Sequence, residues 1–135
     1  MTAIIDYGVG NLFSLRSSFA AIGEEAVVTG DAAKIADADR VILPGVGAFA
    51  DAWAKLCESG MDEAVRRAVA SGKPVMGICL GMQLLFERSF EYGEHPGLGL
   101  LKGEVVGMDG RLPFGLAIPH IGWNALHIKR PGGVL

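Results

Sequence analysis

Four short apolar runs, each followed by a stretch of different periodicity, decide what this chain can fold into. Residues 3–5, 26–29, 40–43 and 75–78 are strand-length and rich in Ile, Val, Leu and Ala. After the first, Leu12, Leu15, Phe19 and Ile22 recur at steps of three and four, which places them on one face of a helix. Asn11 suits that helix's N-cap and Gly23 its stop. Further helices are expected over residues 31–39, over 46–57 after a glycine-rich turn, and beyond Ser59 as a cap. Met61, Ala64, Val65, Ala68 and Val69 form the apolar face of the last, and residues 71–74 end it. Residues 80–88 read as a helix. Residues 98–108 and 116–128 read as extended segments divided by glycine-rich turns, and residues 130–135 as a turn entering a new segment.

Strands alternating with helices imply right-handed crossovers and a parallel sheet. The expected fold is a doubly wound, flavodoxin-like α/β domain, with a mostly parallel sheet and helices on both faces. Sites in such sheets form beyond the carboxyl ends of the strands. Three segments lie there: residues 6–11, 44–49 and 77–83.

Composition removes several classes of function. The net charge is −3 and the 12 Lys and Arg are scattered, so there is no basic stripe for nucleic acid. No apolar run reaches the ~18 residues of a membrane span, and the start has no signal-peptide pattern. Cys57 and Cys79 match neither a zinc motif nor a disulfide framework. They read as reduced thiols of a cytoplasmic protein, and no metal or cofactor is expected.

Gly77-Ile78-Cys79-Leu80-Gly81 has the form glycine–x–nucleophile–x–glycine, at the junction of an expected strand and helix. A sharp turn there needs small flanking residues, lifts the thiol into a cleft, and sets it at a helix N-terminus, which favours thiolate. The Leu80 amide can donate to an oxyanion. A packing cysteine between two glycines is the other reading, and the strand-to-helix context favours the nucleophile. Cys57 lies in an expected helix and reads as a small buried hydrophobe. The other oxyanion donors should come from the loop Pro44-Gly45-Val46-Gly47. That loop also matches a relaxed dinucleotide fingerprint, but the acidic residue required about 20 positions on falls in a helix, so nucleotide binding is disfavoured.

Together with residues 5–12, 43–49, 77–86 and 119–124, these features resemble a class I glutamine amidotransferase. The Pro-Gly-Val-Gly-Ala-Phe loop and the His120-Ile121-Gly122-Trp123-Asn124 segment resemble the branch that feeds ammonia to a (β/α)8-barrel cyclase in histidine biosynthesis. The resemblance implies that Cys79 forms a thioester with glutamine and that the amides of Leu80 and of Val46 or Gly47 hold the oxyanion. It implies that Gln83 and Glu91 bind the glutamine head group, and that Asn11 and Trp123 face the cyclase subunit. It places the catalytic base in a C-terminal His-Pro-Glu motif. His95, His120 and His127 do not supply that motif here. Residues 1–135 are therefore expected to be the N-terminal portion of one amidotransferase domain, inactive alone. Two rival readings are a non-catalytic partner-binding module and another cysteine hydrolase using the same elbow.

Overall fold

A computed structural model describes residues 1–129; the turn expected over residues 130–135 lies outside the described residues. Strand β1 (Thr2–Ile5) is the centre of the fold. Its four residues are all buried, and both of its edges are paired in parallel, Thr2 with Ala26 on one side and Arg40 on the other. A strand covered on both faces has no reason to alternate polar and apolar residues, which is why it reads as a continuous apolar run. With β2 (Ala26–Thr29), β3 (Arg40–Leu43) and β4 (Val75–Gly77) it forms a parallel sheet in the order β2-β1-β3-β4. The expected α/β class and mostly parallel sheet are found.

Helix α1 (Leu12–Ala21) connects β1 to β2 and is capped by the Asn11 side chain, which accepts from the Ser14 amide. Helix α2 (Ala32–Asp37) is capped by Asp31 through the Ala33 amide. Helices α3 (Phe49–Glu58) and α4 (Met61–Ala70) fill the crossover from β3 to β4. Phe49, Ala52 and Leu56 are the buried residues of α3, at helical spacing, and pack with Met61, Ala64, Val65 and Ala68 of α4. Burying each of these larger side chains contributes on the order of 1.5–3 kcal/mol before chain entropy is counted.

Several local expectations are corrected. Helix α3 starts at Phe49 rather than Val46, because the preceding loop is extended through Ala48 and takes a positive φ at Gly47. Ser59 does not cap α4. It closes α3, its hydroxyl donating to the Leu56 carbonyl, and Gly60 caps α4 at φ +71. Helix α5 covers only Leu80–Leu84, not residues 80–88. Residues Phe86–Ser89 form β5, which pairs in parallel with β7 (Leu101–Val105) and antiparallel with β6 (His95–Pro96). Arg88 is bound to Glu94 and Glu104 on the neighbouring segments, so pairing overrides the local helical tendency. Residues 116–128 form no strand; they are exposed throughout and find no partner strand among the described residues. Ile22, expected on the inner face of α1, is 71% exposed. No described helix is long and apolar enough to cross a membrane.

Candidate active site

Cys79 stands where β4 runs into α5, with φ +55 and ψ −120. A non-glycine residue with this backbone is strained, and such strain persists only where surroundings impose it. Here the surroundings are glycines. A Cβ on Gly77 would lie 2.5 Å from the Met82 Cα and 2.6 Å from its nitrogen. A Cβ on Gly81 would lie 2.8 Å from the Leu43 carbonyl carbon, and one on Gly45 2.9 Å from the Leu80 carbonyl carbon. Every one of these is a backbone contact, so no side-chain rotation relieves it. The elbow closes because three positions carry no side chain at all.

The turn is completed by backbone bonds from Gly81 to Ile78 and from Met82 to Cys79, and Ile78 donates to Leu43 at 3.0 Å. Cys79 is exposed. It lines a cavity of about 180 Å³ with Pro44, Gly45, Val46 and Ile78, and with Asn11, Ser14, Leu15 and Ser18 of the first loop and α1. The three segments expected to meet at the carboxyl ends of the strands therefore do meet. Val46 is 51% exposed and Gly47 follows it at φ +88. Among the described residues, the amides of Val46 and Gly47 donate to nothing in the chain.

Gln83 is half-buried in the first turn of α5, its backbone N–H donating to the Cys79 carbonyl. Glu91 is engaged already: one carboxylate oxygen accepts from the Phe49 amide at 2.6 Å, at the start of α3. Asn11 serves as the α1 cap and also lines the cavity. Trp123 is fully exposed in a segment without regular structure. Among the described residues, the cavity lining contains no histidine and no carboxylate. His120 sits against the Asn124 amide at 2.9 Å, and His95 belongs to β6. Among the described residues there is no cluster of three metal-ligating side chains.

Cys57 is exposed, which corrects its reading as a buried hydrophobe. Partial burial of its thiol, then the Asp62 carboxylate nearby, raise its pKa above the ordinary value. Tyr7 is a residue that sequence reasoning assigned no role. It is buried, and its phenol donates to the Pro44 carbonyl at 2.7 Å. Burial pushes its pKa up to about 12. The two residues are 37 positions apart, and no local pattern signals such a bond.

A family model for the CobB/CobQ-like glutamine amidotransferase domain matches residues 2–113. Among curated relatives, the imidazole glycerol phosphate synthase subunit HisH of Sulfurimonas denitrificans is 54% identical over 130 residues, covering 96% of this chain and 63% of that protein. The HisH subunit of Aquifex aeolicus is 51% identical, over 99% of this chain and 63% of its own length. That of Wolinella succinogenes is 48% identical, over 100% and 66%. The chain thus spans just under two-thirds of the length of these relatives. A solved structure described as a glutamine amidotransferase superimposes with a TM-score of 0.66 at 23% identity, covering 80% of this chain and 57% of the other. That likeness speaks for the fold alone. A glycine-walled elbow with an exposed thiol and a family match across most of the chain converge, and the chain belongs to the CobB/CobQ-like glutamine amidotransferase domain family.

Proposed function

We propose that this chain is the N-terminal portion of a glutamine-hydrolysing subunit of an imidazole glycerol phosphate synthase, acting in the cytoplasm and supplying ammonia to a (β/α)8-barrel cyclase subunit for histidine biosynthesis. The observation that carries the reading is Cys79 held at φ +55 between close-packed glycines, facing a cavity. Its sulfur attacks the side-chain amide carbon of glutamine, giving a tetrahedral oxyanion. The carbon–nitrogen bond then breaks, the leaving nitrogen takes the proton given up by the thiol and departs as ammonia, and a thioester remains for water to cleave to glutamate and free thiol. The Leu80 amide and those of Val46 or Gly47 hold the oxyanion. Gln83 and Glu91 bind the glutamine head group, and Asn11 and Trp123 lie toward the cyclase.

Among the described residues, the cavity lining offers no group that accepts a proton from a thiol at neutral pH. In this reading the proton acceptor comes from a segment of the full-length protein that matches the part of the relatives not spanned by this chain. It follows that residues 1–135 alone turn over no glutamine. The test is glutamate release by the full-length protein with its cyclase. Activity abolished by Cys79→Ser supports the reading. Activity that survives that substitution, or measurable turnover by residues 1–135 alone, contradicts it.

A further inference from the structure

The loop carrying Val46 and Gly47 is anchored at both ends by bonds from distant parts of the chain. At its root, the Tyr7 phenol donates to the Pro44 carbonyl at 2.7 Å. At its far end, the Phe49 amide donates to Glu91. Between them the loop is lightly held, with Val46 exposed and Gly47 at positive φ. The root is different in kind. Pro44 is fully buried and its ring fixes φ. A Cβ on Gly10 would lie 2.8 Å from the Pro44 Cβ, so the first loop presses on it from one side. Gly45 presses on Leu80 and Gly81 from the other.

We propose that Tyr7 is a positioning residue for the oxyanion loop: by holding the Pro44 carbonyl it fixes the peptide plane from which the amides of Val46 and Gly47 are hung. The peptide is planar and trans, so fixing the carbonyl of Pro44 also fixes the amide of Gly45 on its opposite side. Rotation further along the loop then starts from one defined orientation. Without the phenol, a buried carbonyl loses its partner and the plane is free to tilt. Tyr7 itself touches no reacting atom, and its effect reaches the oxyanion only through the backbone. The inference rests on the glutaminase reading above.

The experiment uses the full-length protein with its cyclase partner. Removing an oxyanion donor outright costs about 10²–10³ in kcat, so loosening its support should cost about tenfold. Tyr7→Phe is expected to lower kcat for glutamine hydrolysis by that factor, with KM held within about twofold. A second readout separates positioning from general loosening. Iodoacetamide alkylates a thiol by displacement and builds no oxyanion, whereas a chloroketone analogue of glutamine is attacked at its carbonyl and does. The ratio of chloroketone to iodoacetamide rates at Cys79 should fall about tenfold in Tyr7→Phe. An unchanged ratio overturns the proposal, whether the two rates fall together or neither falls. If the unsubstituted protein neither hydrolyses glutamine nor takes up the chloroketone, the glutaminase reading itself fails and the inference falls with it. Should Tyr7→Phe unfold, a fluorinated tyrosine at position 7 keeps the ring and makes the phenol more acidic. The rate ratio should then drop as pH rises and the phenol loses its donor proton; a ratio that matches the unsubstituted protein at every pH overturns the proposal.

Discussion

Gly77→Ala adds one methyl group to the inside of the elbow. Gly77 has no positive φ, so alanine meets no conformational penalty there and the effect is purely steric. The new carbon would sit 2.5 Å from the Met82 Cα, 2.6 Å from the Met82 nitrogen and 2.7 Å from the Gly81 carbonyl carbon. Real Cβ atoms almost never approach closer than 3.0 Å, so the end of β4 and the first turn of α5 must part by at least about half an ångström. All three obstacles are backbone, and Cys79 lies between the parting segments. Overpacking of this kind costs about 1–3 kcal/mol in stability. Its effect on chemistry is larger, because displacing reacting groups by ~1 Å can cost ~10²-fold in rate. Gly72→Ala is the matched control. It forces a side chain into φ +79 with no atom within 4 Å, which costs about 1–2 kcal/mol but leaves the elbow untouched. Thermal melts and glutamine turnover of the full-length protein should show both variants destabilised to a similar degree, with turnover reduced ten- to a hundredfold in Gly77→Ala alone. Equal turnover in the two variants would refute the idea that this glycine shapes the nucleophile's turn.

Tyr7 has its folded pKa raised from 10.0 to about 12, so its contribution to stability is complete below pH 10 and is lost as pH rises toward 12. Alkaline unfolding of the unsubstituted protein should therefore steepen between those values, and the same titration of Tyr7→Phe should lack that component. At neutral pH, iodoacetamide should label Cys79 before Cys57, whose thiol is held protonated by partial burial and the Asp62 carboxylate; peptide mapping that finds Cys57 labelled first would contradict this. Residues 1–135 by themselves should self-associate, because α1 has no fully buried residue and Phe114, Ile121, Trp123 and Leu126 lie open to water. A sharp melt of a monomer at equilibrium in the ultracentrifuge would count against that.

The centre of the sheet was legible because β1 and β3 are buried on both sides and must be written as unbroken apolar runs, as residues 3–5 and 41–43 show. The elbow was legible for a related reason. Backbone packed against backbone leaves glycine as the residue that fits, and Gly77 and Gly81 record that contact in the sequence. What escaped was decided at long range. Nothing near Phe86 announces that it will pair with Leu101 and not continue α5. Nothing near Tyr7 or Glu91 announces a bond to residues 37 or 42 positions away. The Glu91 carboxylate also holds the start of α3, a bond visible only once the fold brings β5's trailing loop beside it. Ser59 satisfies a capping pattern, yet Gly60 alone can take the left-handed turn between α3 and α4.

In the proposed reaction the thiol of Cys79 becomes covalently bonded to the substrate. Rapid acid quench of the full-length protein turning over glutamine, followed by mass spectrometry of its peptides, tests it most directly. A glutamyl group should be carried as a thioester on the peptide containing Cys79, and none on that containing Cys57. Steady turnover with Cys79 free of any adduct, or with the glutamyl group on another residue, would contradict it.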